Sequence, residues 1–167
     1  MCGLDMKKIL LFSDDKQIFE ITKQEIERIG KENELAWRSF DQLAKNMYSY
    51  ADVVIMHFAQ KKIERGAFDA IVKVKGKLGH SIPILAIVEG GTRQDIFSIL
   101  KIGAYDYIER VNGFQNYQKK IEELLLWNWY LGTCKQIHME DDKKSTGCVS
   151  DVSKSEKQEQ IESSSKI

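Results

Sequence analysis

The chain has 167 residues, 43% of them apolar, enough for one well-filled core with no need of a second. Lysine plus arginine equals aspartate plus glutamate at 25 each, so no basic surplus exists to hold a phosphate backbone, and nucleic acid is not expected as a direct partner. No apolar run reaches the roughly 20 residues that cross a bilayer, and MCGLDMKK lacks the apolar stretch of a secretory signal; a cytoplasmic protein away from the membrane is expected.

Up to residue 132 the pattern alternates strand and helix. KKILLFS (7–13) is a short apolar run closed by Asp14 and Asp15, and Phe19, Thr22, Ile26 and Ile29 then repeat at helical spacing up to Gly30. ELAWRSF (34–40) predicts an outer strand, and 41–50, with Leu43, Ala44 and Met47, a short helix. ADVVIMHF (51–58) is the most continuous strand, and its lack of a polar face requires helices on both sides of the sheet. Phe68, Ile71, Val72 and Leu78 mark the next helix, and IPILAIV (82–88) a second buried strand with Pro83 at its start. Thr92 and Asp95 have the form of a capping box, opening a helix that runs to Gly103. AYDYIE (104–109) is a short last strand, and Phe114 to Leu131 the last helix.

Strands joined by helices in this way predict right-handed crossovers and a mainly parallel sheet, a doubly wound α/β fold. Residues 133–167 are polar and free of aromatic residues, and are expected to form a disordered or weakly ordered tail. The three cysteines, Cys2, Cys134 and Cys148, make no CxxC pair and read as free thiols.

In a parallel sheet the carboxyl ends of all strands share one edge. That edge gathers Asp14 and Asp15, His57, Val88 and Glu89, and Arg110. Adjacent carboxylates after a strand suit either a helix N-cap or a hard cation such as Mg²⁺, with oxygen ligands. His57 has three readings: an imidazole hydrogen-bonded to an acidic neighbour, a phosphorylated nucleophile, or a ligand with Asp14, Asp15 or Glu89 for a transition metal such as zinc. EGGTRQD (89–95) is either a plain glycine turn with a capping Thr or an anion cradle.

The succession KKILLFSDD, ADVVIMHF, IPILAIVEGG and ILKIGAYDYIER resembles the receiver domain of two-component response regulators over about residues 7–132. The resemblance implies a flavodoxin-like five-stranded parallel sheet in the order 2-1-3-4-5. It also implies a metal-binding role for Asp14 and Asp15, with His57 standing at the phosphoacceptor position, Val88 at the Thr/Ser position and Arg110 at the Lys position. Tyr107 matches the aromatic switch position, and Val111 replaces the usual proline. Imidazole cannot form an acyl phosphate, valine has no hydroxyl to follow a phosphoryl oxygen, and arginine presents a planar fork in place of an ammonium. The expectation is therefore a pseudo-receiver: not an enzyme, with no cofactor or weak Mg²⁺, a single-domain signalling protein acting through protein contacts.

The last helix carries more aromatic side chains than one core-facing stripe needs, namely Trp127, Trp129 and Tyr130. With Ile96, Ile99 and Tyr107 they form the expected interface, for a homodimer or another signalling protein, since the resembling family often pairs through its fourth helix, fifth strand and fifth helix. A competing reading is a small flavodoxin-like enzyme or ligand-binding protein using Gly90, Gly91 and Thr92 for a phosphate-bearing ligand.

Overall fold

The computed structural model describes residues 6–66, 68–109 and 114–145, with the side chains of 114, 115 and 132–145 excepted. Five strands, β1 (Lys7–Phe12), β2 (Asn33–Arg38), β3 (Val53–Phe58), β4 (Ile84–Val88) and β5 (Asp106–Ile108), pair in parallel in the order β2-β1-β3-β4-β5. Among the described residues six helices connect and follow them: α1 (Lys16–Ile29), α2 (Phe40–Ala44), α3 (Gln60–Glu64), α4 (Asp69–Leu78), α5 (Arg93–Ile102) and α6 (Phe114–Ser145). This is the doubly wound flavodoxin-like sheet that the strand pattern and the resemblance imply.

Successive strand side chains point to opposite faces, and the two cores follow from that alternation. Leu10, Phe12, Val54, Met56, Phe58, Ile84, Ala86 and Val88 pack with Leu43, Ile63, Ile71, Val74 and Ile99 from α2 to α5. On the other face, Ile9, Leu11, Val53, Ile55, Leu85 and Ile87 pack with Ile18 and Ile26 of α1 and with Tyr117, Ile121 and Leu124 of α6. Every residue of β3 is buried, because it lies mid-sheet between both helical layers. Across the second layer, the Thr22 hydroxyl donates to the Ile18 carbonyl and meets the Tyr117 hydroxyl at 2.6 Å, joining α1 to α6.

Several boundaries differ from the sequence reading. The helix expected over 41–50 starts one residue earlier and stops at Ala44. Ser39 and Gln42 form a reciprocal capping box at its start, and Asn46 takes a left-handed φ of 57° at its end. Helix α3 was not anticipated, since a five-residue turn with Ile63 as its buried apolar residue is too short to show a period.

Helix α6 continues past Leu131 to Ser145. Residues 133–145 lack Pro and Gly and include three Lys with a Gln, a Met and a Glu, residues that suit a helix by propensity even where they cannot build a core. By contact density the chain divides into residues 1–129 and 130–167, and the described part of the second unit, 130–145, is helical.

Candidate functional site

The register explains which side chains meet at the carboxyl edge. β1 lies against β3 with Phe12 opposite Met56, so the next residues, Ser13 and His57, are neighbours. β3 lies against β4 with Phe58 opposite Val88, and the Glu89 amide continues the ladder by donating to the Phe58 carbonyl. Ser13, Asp14, His57 and Glu89 are thereby brought together by backbone pairing.

His57 is 3% exposed. Its Nδ1 is 3.0 Å from the hydroxyl of Ser13, itself fully buried. Its Nε2 lies 3.3 Å from Glu89 Oε2, yet without the alignment of a hydrogen bond. The hydrogen-bond partner is thus a serine, where an acidic residue was expected, and Glu89 contributes charge nearby. Of the two neutral tautomers, the one in which Ser13 donates to Nδ1 leaves the proton on Nε2, beside the carboxylate rather than a lone pair facing it.

Serine, histidine and glutamate in succession suggest a hydrolytic triad, but the burial argues otherwise. Ser13 Oγ accepts from the Asp15 amide at 3.0 Å and lies 3.3 Å from the Asp15 carbonyl, so it closes the loop after β1 and has no open side for a substrate. The Trp37 indole donates to the Ser13 carbonyl at 2.8 Å and stacks on Phe19 at 4.6 Å, pinning that loop from β2 and α1.

The two aspartates part company. Asp15 is the N-cap of α1, its Oδ1 accepting from the Gln17 amide at 2.8 Å. Asp14 turns the other way: Oδ1 accepts from the Phe40 amide at 3.0 Å, and Oδ2 pairs with the Lys62 ammonium from α3. That ammonium also sits 3.7 Å above the Phe40 ring. Burial acts to raise the Asp14 pKa, but the Lys62 and Phe40 hydrogen bonds and the positive charge of Lys62, with a smaller electrostatic contribution from the His57 side, outweigh it and hold the carboxyl below its ordinary value.

A magnesium ion asks for several oxygen ligands in near-octahedral array. Here one carboxylate caps a helix, the other is held by an ammonium and an amide, and the third position offers an imidazole. This donor set does not fit the ion. Among the described residues no three His, Cys, Asp or Glu side chains are grouped to hold a metal, the zinc arrangement included.

Val88 is 1% exposed and part of the core. Arg110 and Val111 lie outside the described residues. In the loop after β4, Gly90 has a φ of 74°, and a Cβ on Gly91 would lie 2.6 Å from Val88 Cγ1. Thr92 and Asp95 make the reciprocal capping box, and Asp95 Oδ2 takes both the Thr92 amide (2.8 Å) and hydroxyl (2.7 Å). The amides that an anion cradle would use are in part spent on the cap.

The expected interface residues separate into two groups. Ile99 is fully buried and Ile96 9% exposed, because the phase of α5 turns them onto the sheet; the outward side chains are Phe97 and Leu100. Tyr107 is partly buried against the same core, with its carbonyl accepting from Lys120 at 2.9 Å. Trp127, Trp129 and Tyr130 are exposed, and Trp127 lies 5.6 Å from the Tyr105 ring. Sequence reasoning missed Ser13, Lys62, Phe97 and Tyr105.

No protein-family model matches the chain, and no curated protein matches it either. Solved structures do. A response regulator receiver domain protein from Clostridium thermocellum superposes with a TM-score of 0.59 at 22% identity, covering 75% of this chain and 98% of that one. A response regulator from Thermotoga maritima gives 0.59 at 13% identity, over 72% of this chain and 98% of that one. NtrX from Brucella abortus, solved in complex with ATP, gives 0.64 at 17% identity, over 79% of this chain and 30% of that one. The fold is that of the response-regulator receiver domain. Among the described residues no helix is long and apolar enough to cross a membrane.

Proposed function

We propose that this chain is a pseudo-receiver: a signalling protein that uses the receiver fold to contact another protein and does not work by aspartyl phosphorylation at the strand rim. The observation that carries the reading is His57, an imidazole buried to 3% exposure and bonded to Ser13 at the end of β3, where the resembling family needs an accessible carboxylate. Buried in this way, the ring is also a poor phosphohistidine, because its Nε2 is closed off beside Glu89. No catalytic step is assigned to the rim, and the protein is read as a non-enzyme without a required cofactor.

Contact with a partner then falls to the exposed apolar side chains of α5, the segment before β5, and α6. Phe97 is 71% exposed, Trp129 61% and Leu126 67%, values that a solvated helix face does not need. The partner is a second copy of the chain or another cytoplasmic signalling protein, with neither nucleic acid nor membrane as a direct target. Trp127→Ala/Trp129→Ala is expected to retain the circular dichroism of the wild type and to weaken its self-association in sedimentation velocity. An unchanged monomer for both proteins would remove the homodimer and leave only a different partner.

A further inference from the structure

We infer that the Lys62 ammonium is the resident cation of the acidic corner, a counter-ion carried by the chain itself that competes with any divalent metal for Asp14. Three contacts, the burial of Lys62 and the anchoring of its helix support this. Lys62 Nζ pairs with Asp14 Oδ2, and Asp14 Oδ1 is fixed by the Phe40 amide at 3.0 Å. The Phe40 ring forms the other wall, 3.7 Å from the ammonium. The Lys62 side chain is only 28% exposed, whereas its neighbour Lys61 is a solvated surface residue. The next residue, Ile63, is 8% exposed and anchors α3 to the core, which fixes the helix phase and aims Lys62 across the rim.

A tethered ammonium has already lost the translational freedom that a free ion gives up on binding, so it competes well against a dissolved cation. It is also a poor substitute in one respect. A single positive charge with three donors cannot bring carboxylates from different strands together as a divalent ion does. The rim accordingly divides: Asp14 goes to Lys62, Asp15 to the α1 cap, and His57 to Ser13. Asp14 nevertheless links three segments, the loop after β1, the start of α2, and α3. Lys62 is therefore a positioning residue that keeps these segments in one arrangement whatever the metal concentration.

The inference concerns the electrostatics of the rim and stands apart from the partner reading. Its test contains no phosphoryl donor, so its failure is distinguishable from phosphorylation of the wild type. Full-length wild type, Lys62→Met, His57→Asp and His57→Asp/Lys62→Met are titrated with MgCl₂ against an EDTA baseline. The readouts are melting temperature and the indole N–H resonance of Trp37, which bonds to Ser13 beside the site. Wild type and Lys62→Met, which keep the imidazole, are expected not to respond. The double variant is expected to show a saturable response, and His57→Asp, still holding Lys62, to bind about tenfold more weakly. Should the methionine variant fold poorly, Lys62→Gln gives the same charge loss with a polar end. A saturable response of the wild type, equal affinity of His57→Asp and the double variant, or no response from a folded double variant would each overturn the inference.

Discussion

Ser13→Ala tests whether the rim is held by the buried serine–imidazole pair. Ser13 is fully buried and His57 3% exposed, so water cannot replace the lost hydroxyl. Nε2 already has no hydrogen bond, and without Ser13 the whole imidazole would be buried with none. An orphaned buried polar group costs about 1–3 kcal/mol, and the Asp15 amide, part-exposed, loses a bond worth about 0.5–1 kcal/mol. The expected loss is about 2–3 kcal/mol, or roughly 10 °C in melting temperature for a domain of this size. His57→Leu removes the group that needs the bond and leaves Ser13 its contact with the Asp15 carbonyl, so its cost is expected to be smaller, about 1 kcal/mol. The double variant should then fall short of additivity by about 1–2 kcal/mol, measured by urea unfolding followed through far-ultraviolet circular dichroism. A Ser13→Ala protein within about 0.5 kcal/mol of wild type, or strict additivity, would refute the pairing as a source of stability.

The Asp14 carboxyl, held below its ordinary value, contributes stability above its unfolded pKa of about 3.9, and that contribution is lost as pH falls through the lower folded value. Lys62→Met should raise the Asp14 pKa in a carbon-detected NMR titration, whereas an unmoved value would show that Lys62 does not hold it. Thr92→Ala removes the hydroxyl from the α5 cap and is expected to cost about 0.5–2 kcal/mol in unfolding free energy. The same change should raise the Asp95 pKa, which the Thr92 hydroxyl and amide keep low. Equal stability and an unshifted Asp95 would mean that the cap does little in solution.

The sheet was legible because its three central strands are continuous apolar runs, and only a sheet covered on both faces buries such runs. His57 was legible by position, as the polar end of β3. Its partner was not: Ser13 is one hydroxyl at the end of KKILLFS, and its contact exists only through the pairing of β1 with β3, 44 residues apart in sequence. Lys62 is similarly hidden in KKIER, where nothing local tells which lysine turns back to Asp14; the seating of α3 through Ile63 decides it.

The run IFSIL of α5 shows the same limit. Four of its five residues are apolar, so periodicity does not say whether Ile96 and Ile99 or Phe97 and Leu100 face inward. Packing on the sheet selects the isoleucines. The end of α6 failed for another reason: polarity after residue 132 argues against a core, but helix propensity does not require one.

Incubation with acetyl phosphate and MgCl₂ followed by intact-mass measurement addresses the central claim most directly. With a buried imidazole at the end of β3, Asp15 on a cap and Asp14 on Lys62, the mass is expected to remain that of the unmodified chain. A stoichiometric increase of about 80 Da, one phosphoryl group, would contradict the account.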